Sequence, residues 1–274
     1  MIFFDQVTAG YIAPDGSPLP ILKDLSLKIE KGEFVTIMGA NGSGKTTLMR
    51  LCNGLITPQS GIISIDEHKI SANDHSEIMA VRRRVGMVFQ NPENQIVSTT
   101  VEREIAFGLE NLGIPHEEMV ARVENSLQQF DLQKYRHRSP AMLSGGEKQR
   151  LAVASVLVMD PAYLIFDEPT SLLDVQHRRA LLQLMQSLHQ DSSHVHTLIN
   201  VTQFPQEALI STRLIVLHEG RIVLDAPPKE AFLQVDLLQK FGIVPPIEFL
   251  VFKELTERYD QVTSLDDLLL PPII

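Results

Sequence analysis

The chain has 274 residues, 44% of them hydrophobic, which is enough for one large α/β domain and a smaller appendage. Its formal net charge is −10, from 24 basic and 34 acidic residues, so it is a poor candidate for broad binding to a nucleic-acid backbone. Cys52 is the only cysteine, which excludes an intrachain disulfide and fits a reducing compartment. Because we find neither a signal-peptide pattern nor a run of about 18 apolar residues, we expect other subunits to cross any membrane at which the protein works.

Apolar runs and turn residues predict the secondary-structure elements in chain order. Residues 1–38 are rich in strand formers and are interrupted by a Pro- and Gly-containing loop at 13–18. The charged, periodic stretch at 101–135 favours helices, and 145–159 predicts one more. Short apolar runs indicate strands at 34–38, 62–65, 85–89, 163–166, 197–202, 214–217 and 222–224.

The most specific pattern is Gly-Ala-Asn-Gly-Ser-Gly-Lys-Thr-Thr at residues 39–47, which satisfies G-x-x-x-x-G-K-[ST]. A predicted strand precedes it and a predicted helix start follows at 47–53, so a chance Gly-rich turn is a poor alternative to a phosphate-binding loop. Glycines let N–H groups turn toward phosphate oxygens, Lys45 supplies charge for the outer phosphates, and the Thr46 hydroxyl can coordinate Mg²⁺. The expected phosphate-contacting residues are Gly39, Ala40, Asn41, Gly42, Ser43, Gly44, Lys45, Thr46 and Thr47.

Two carboxylates, Asp167 and Glu168, directly follow the apolar run at 163–166. The carboxyl ends of parallel strands lie beside the phosphate loop in such sheets, so both side chains are expected there. Asp167 would then hold Mg²⁺ through water, and Glu168 would orient or deprotonate the attacking water. Taken alone, four apolar residues followed by Asp-Glu are as typical of an ordinary strand end.

Residues 143–150, Leu-Ser-Gly-Gly-Glu-Lys-Gln-Arg, combine a hydroxyl, two glycines and a helix start, which together make a second anion site. Taken alone, a simple helix N-cap also explains this pattern. With the two features above, the chain resembles ABC-type ATPases from residue 1 to about 224, with the family signature LSGGQ present as LSGGE. The resemblance implies an α/β phosphate-loop core, an antiparallel β subdomain and a helical signature subdomain at about 95–155.

In that family the signature of one subunit closes over the nucleotide held by the phosphate loop of another. The resemblance therefore implies a dimer that binds ATP and Mg²⁺ at its interface. Ser144, Gly145 and Gly146 would contact the nucleotide of the second subunit.

Further positions match the family one at a time. Tyr11 matches the aromatic residue that stacks on adenine, with a purely structural tyrosine as the alternative. Gln90 matches a glutamine that contacts Mg²⁺ and links to partner subunits. Asp174 matches an aspartate that communicates between the two nucleotide sites.

One position departs from the family. After the strand at 197–202 the family carries a histidine that contacts the γ-phosphate, and this chain has Gln203. An amide donates a hydrogen bond but neither becomes cationic nor shuttles protons, so we expect slow hydrolysis at this half-site. His194 and His196 precede the strand, and we expect them to be exposed polar residues rather than a metal pair or the missing histidine.

The stretch from Gln90 to Pro115 is similar to the ATPases of energy-coupling-factor transporters, a group that includes cobalt importer ATPases. In that group a short helix after the glutamine helps receive coupling helices of a membrane subunit. The extension at 225–274, near whose start Pro227-Pro228 marks a boundary, also fits, because the group uses such a tail to dimerise. The resemblance implies a peripheral ATPase on the cytoplasmic face of the membrane, which powers import of a vitamin or metal ion with a transmembrane coupling subunit and a substrate-binding membrane subunit.

Two other functions stay open. A nucleotide-binding but poorly hydrolysing partner in an ABC heterodimer is favoured by Gln203 and disfavoured by the intact Glu168 and Lys45. A soluble ABC ATPase acting on nucleic acid or ribosomes predicts a basic patch or tandem cassettes, whereas this chain is acidic and has one phosphate loop. Neither the transported substrate nor the choice between homodimer and heterodimer follows from the sequence.

Overall fold

The computed structural model describes residues 1–72, 74–191 and 195–258, except for the side chain of Glu257. The strands are β1 (Ile2–Ile12), β2 (Pro18–Ile29), β3 (Phe34–Met38), β4 (Ser60–Ile65), β5 (His68–Lys69), β6 (Val85–Val88), β7 (Tyr163–Asp167), β8 (Thr197–Val201), β9 (Arg213–His218) and β10 (Arg221–Ala226). The helices are α1 (Lys45–Cys52), α2 (His75–Arg84), α3 (Val101–Leu112), α4 (His116–Gln129), α5 (Gly145–Leu157), α6 (Val175–Gln190), α7 (Pro205–Ala208), α8 (Pro228–Leu233), α9 (Val235–Lys240) and α10 (Ile247–Arg258).

The strands form two sheets that meet at the phosphate loop. One is antiparallel, in the order β2-β1-β4-β5, and the other has the order β10-β9-β3-β8-β7-β6. In the second sheet β3, β6, β7, β8 and β9 run parallel, and every residue of β3, β6, β7 and β8 is buried, as expected for strands covered on both faces. The carboxyl ends of β3, β7 and β8 therefore lie side by side, which confirms the predicted α/β class.

A helical region separates β6 from β7 in the chain. Val101, Ile105 and Leu109 are spaced by one helical turn along α3 and are fully buried. They belong to the same core cluster as Leu127 of α4 and Leu151 of α5. The periodicity seen in the sequence thus gives helices packed together by one apolar stripe.

The segment after β10 packs back onto the parallel sheet. Phe232 of α8 and Phe249 of α10 are fully buried, with ring centroids 5.3 Å apart, and share a core cluster with Leu214 of β9. Phe249 is therefore an internal contact of this chain, whereas Val251 is 42% exposed. Residues 259–274 of the predicted extension lie outside the described residues. Among the residues that are described, no helix has the length and apolar character needed to span a membrane.

Candidate active site

The loop between β3 and α1 needs glycine at two positions. A Cβ atom on Gly39 would lie 2.2 Å from the Leu217 carbonyl oxygen. Gly44 is the N-cap of α1 with a φ of 108°, and a Cβ there would lie 2.6 Å from Leu22 Cδ2. The two glycines allow the loop to pass close to Leu217 of β9 and Leu22 of β2 and to turn into α1.

Lys45 is held at the bottom of this loop. Its side chain is 6% exposed, and Nζ donates hydrogen bonds to the carbonyl oxygens of Gly39 at 2.7 Å and Ala40 at 3.1 Å. Burial lowers the pKa of Lys45, while Glu168 and Asp167 act in the opposite direction. A confined ammonium group at a helix N-terminus forms a cradle that suits phosphate oxygens.

A cleft of about 520 Å³ opens above Lys45. Side chains and backbone from the antiparallel sheet, the phosphate loop and the ends of β6, β7 and β8 converge on it. The lining residues are Tyr11, Ile21, Asn41, Gly42, Gly44, Lys45, Thr46, Thr47, Gln90, Glu168 and Gln203. The fold thus brings most of the predicted site residues into one concave surface, while Gly39, Ala40 and Ser43 lie behind it in the loop.

Two glutamine amides hold the Glu168 carboxylate. Gln90 Nε2 donates to Glu168 Oε2 at 3.1 Å, and Gln203 Nε2 donates to Glu168 Oε1 at 2.8 Å. The same Gln203 nitrogen lies 3.3 Å from Asn41 Oδ1. Glu168 has a φ of 48°, in the left-handed region, and its N–H donates to the Val201 carbonyl at 2.9 Å. The carboxylate is therefore held from two segments of the chain, those that follow β6 and β8, while the Glu168 backbone is fixed to β8.

The predicted metal ligands provide oxygen donors. Asp167 is 8% exposed, and burial raises its pKa, with a further rise caused by Glu168 and an opposing effect from Lys45. Thr46 and Gln90 line the cleft, whereas Asp167, the last residue of β7, is not among its lining residues. A hydroxyl, an amide oxygen and a carboxylate form the type of donor set that Mg²⁺ prefers when phosphates supply further oxygens, so these residues fit the ion.

The signature residues lie elsewhere. Ser144 caps α5 in a capping box, with its N–H donating to Glu147 Oε2 at 2.8 Å and its Oγ accepting from the Glu147 N–H at 3.4 Å. Hydrogen bonds from Tyr135 and Ser144 lower the pKa of Glu147 to about 2. Ser144 and Gly145 are exposed, and neither they nor Gly146 lines the cleft of their own chain.

Asp174 is linked to the signature through a residue that the sequence did not indicate. Its carboxylate caps α6 by accepting from the His177 N–H at 2.9 Å and lies 2.7 Å from His177 Nδ1. A Cβ atom on Gly146 would lie 2.7 Å from the His177 ring, so the ring packs directly on the signature backbone. The i, i+3 spacing of Asp174 and His177 is the one signal that could have identified the pair.

The prediction that His196 is exposed is wrong. It is 7% exposed, and its Nδ1 lies 2.9 Å from the Pro161 carbonyl oxygen. The cause is the central position of β8, because a residue that enters a strand covered on both faces is itself covered. His194 lies outside the described residues. Within the described ranges, no group of three His, Cys, Asp or Glu residues is arranged to hold a metal ion.

Proteins of known family that are similar in sequence to this chain are ATP-binding subunits of ABC transporters. The ABC transporter family profile matches residues 22–171. An energy-coupling factor transporter ATP-binding protein, EcfA1 of Ligilactobacillus salivarius, is 42% identical over 87% of this chain and 83% of its own length. The cobalt import ATP-binding protein CbiO of Syntrophus aciditrophicus is 44% identical over 82% of this chain and 79% of its own length.

The solved structures that are similar to this chain are also ABC cassettes. CbiO1 from Clostridium perfringens, described as part of the ABC transporter complex CbiONQ, superposes with a TM-score of 0.76 at 32% identity, covering 92% of this chain and 98% of that one. The cassette MJ0796, in a dimeric post-hydrolysis state bound to ADP and phosphate, gives a TM-score of 0.75 at 30% identity, covering 83% and 99%. With its phosphate loop, carboxylate pair and signature in the places described above, the chain belongs to the ABC transporter family.

Proposed function

We propose that this chain is the ATP-hydrolysing subunit of an energy-coupling-factor-type importer of a vitamin or metal ion. The observation that carries the proposal is the meeting of Lys45 and Glu168 in one cleft on a phosphate loop. Relatives that are 42% and 44% identical carry the names of an energy-coupling factor ATP-binding protein and a cobalt import ATP-binding protein.

The residues of the cleft divide the chemistry between them. The loop N–H groups and Lys45 bind the phosphates of ATP, and Tyr11 stacks on the adenine. Thr46, Gln90 and Asp167 would hold Mg²⁺, which supplies charge neutralisation at the outer phosphates.

Glu168 accepts a hydrogen bond from the attacking water and orients it toward the γ-phosphate. Gln90 and Gln203 hold that carboxylate in place, at 3.1 and 2.8 Å. Because positioning is most of what phosphoryl transfer requires of a protein, this restraint is itself a catalytic contribution.

A second subunit completes each site. Ser144, Gly145 and Gly146 do not line the cleft of their own chain, yet a hydroxyl, two glycines and a helix N-terminus suit a phosphate. We infer that they bind the ATP held by the partner, and that Asp174 and His177 link the two sites.

The remaining proposals concern organisation. Residues 1–224 form the nucleotide-binding domain, with the helical subdomain at about 95–155, and residues 225–274 form an extension used in dimerisation. A transmembrane coupling subunit and a substrate-binding membrane subunit are the other partners, and the chain sits peripherally on the cytoplasmic face. The formal charge of −10 disfavours the alternative of an ATPase that acts on nucleic acid.

A poorly hydrolysing partner in a heterodimer is the second candidate, because Gln203 replaces the family histidine. Two experiments test the choice. Purified chain should release phosphate from Mg-ATP in a Glu168-dependent manner, and tagged chain should copurify with integral membrane proteins from detergent-solubilised membranes. Turnover that appears only after mixing with a second ABC subunit would favour the heterodimer, and a chain recovered free of membranes would contradict the transport role.

A further inference from the structure

A buried carboxylate joins the two loops that carry Glu168 and Gln203. Glu207 of α7 is 2% exposed. Its Oε1 accepts a hydrogen bond from Thr170 Oγ1 at 2.7 Å, and its Oε2 accepts one from Thr202 Oγ1 at 2.6 Å. Both threonines are themselves fully covered, at 0% and 1% exposed.

The two threonines lie next to the reactive end of the cleft. Thr170 is two residues after Glu168, and Thr202 directly precedes Gln203. The buried Thr170–Glu207–Thr202 bridge therefore connects the same two loops as the exposed hydrogen bond between Gln203 and Glu168. The buried bridge and the exposed hydrogen bond together restrain the distance between the two loops more strongly than the exposed hydrogen bond alone.

Burying the Glu207 carboxylate costs desolvation free energy, which a purely structural contact could avoid. Burial raises the pKa of Glu207, which the hydroxyls of Thr202 and Thr170 partly oppose. Arg178 Nε lies 3.9 Å from Oε1, and its guanidinium stacks on the Phe204 ring at 4.0 Å. A site that only needed packing could hold an apolar side chain of similar volume at lower cost. A carboxylate is the group that accepts a hydrogen bond from each loop at the same time.

We propose that Glu207 is a positioning residue for ATP hydrolysis, which sets the spacing between Glu168 and Gln203 through Thr170 and Thr202. The inference rests on the proposed roles of Glu168 and Gln203. It assigns to Glu207 an effect on the rate of the chemical step rather than on nucleotide binding, because none of the three bridge residues lines the cleft.

The threonines provide matched pairs for the test. Thr170→Val and Thr202→Val keep the shape and remove the hydroxyl, whereas Thr170→Ser and Thr202→Ser keep the hydroxyl. A displacement of 1 Å far from the chemistry can cost on the order of 10²-fold in rate, so we expect a loss of roughly tenfold or more in kcat for each valine variant. ATP affinity should stay within about twofold of wild type, since phosphate contacts are untouched, and both serine variants should retain most of the activity.

A double-mutant cycle separates positioning from folding. Glu207→Gln should lower kcat strongly in the wild-type background and much less in a Gln203→Ala background, because one of the two side chains it positions is then absent. Leu238→Ala is the control. It removes a fully buried side chain from the C-terminal segment, so it should lower Tm without a matching loss of kcat.

Valine variants with wild-type kcat would overturn the inference, and so would a Leu238→Ala control that loses as much kcat as the valine variants at a comparable loss of Tm. Equal fold-losses for Glu207→Gln in both backgrounds would also do so. Failure of the proposed function would look different, because Glu168→Gln would then hydrolyse ATP as fast as wild type. The threonine pairs keep the test decisive if Glu207→Gln does not fold.

Discussion

Gln203 Nε2 lies 2.8 Å from Glu168 Oε1, so the residue that replaces the family histidine contacts the proposed catalytic carboxylate directly. With Gln90 on the other oxygen at 3.1 Å, both oxygens of Glu168 accept from an amide. Each carboxylate oxygen has a further lone pair, so Glu168 can still accept from a water while it is held. Gln203 in place of the histidine therefore keeps a hydrogen-bond donor in the cleft, but it cannot become cationic or transfer a proton as an imidazole does.

Gln203→His should raise ATP turnover by roughly tenfold or more, with little change in ATP affinity. A well-placed donor is worth about 10²–10³ in rate, and the more flexible amide recovers only part of that. Steady-state phosphate release and calorimetric ATP binding measure the two quantities.

Gln203→Asn is the control for that substitution, because it keeps the amide and shortens the side chain by one methylene. It should be slower than wild type. If Gln203→His has an equal or lower rate, the contacts to Glu168 and Asn41 already compensate for the missing histidine.

Lys45→Ala should weaken ATP binding and abolish turnover. A hydrogen bond to a charged group contributes about 1.5–3 kcal/mol, which corresponds to roughly 10- to 100-fold in affinity. Isothermal calorimetry with Mg-ATP gives the affinity, and Lys134→Ala, a 61% exposed lysine outside the cleft, is the control. Unchanged affinity together with normal turnover would remove Lys45 from the site.

Glutamate at exposed apolar positions of α10 should weaken dimerisation in the absence of nucleotide. Ile247 and Val251 are 63% and 42% exposed, so Ile247→Glu and Val251→Glu place charge on a surface rather than in the core. Truncation at residue 228 is a poorer test, because it would also remove the fully buried Phe232. Sedimentation velocity measures the dimer fraction.

Val120→Glu, at a 47% exposed position on α4, is the control for those substitutions. It should leave the dimer fraction unchanged. Variants of α10 that dimerise as well as wild type would contradict the role assigned to the extension.

The sequence was most informative where a motif and its neighbouring elements constrain each other. The phosphate loop between β3 and α1 and the pair Asp167-Glu168 at the end of β7 were predictable, because parallel strands end at one edge of the sheet. The contacts within the cleft were not, because the hydrogen bond between Gln203 and Glu168 joins side chains 35 residues apart.

The remaining differences between the sequence-based predictions and the structure concern which side chains are buried. His196 was predicted to be exposed, and nothing in the sequence indicates that Glu207 is buried, because an isolated glutamate on a short helix is usually solvated. In both cases the decisive fact is which strands neighbour each other. That fact depends on tertiary packing rather than on local composition.

Glu168→Gln is the decisive variant for the proposed role of Glu168 in ATP hydrolysis, because it removes the carboxylate and keeps the size and part of the hydrogen bonding of the side chain. With Mg-ATP it should bind nucleotide at close to wild-type affinity, release phosphate at least about 10²-fold more slowly, and elute as a closed dimer in gel filtration. Hydrolysis near the wild-type rate, with only monomer present, would contradict the assignment of Glu168 as the residue on which ATP hydrolysis depends.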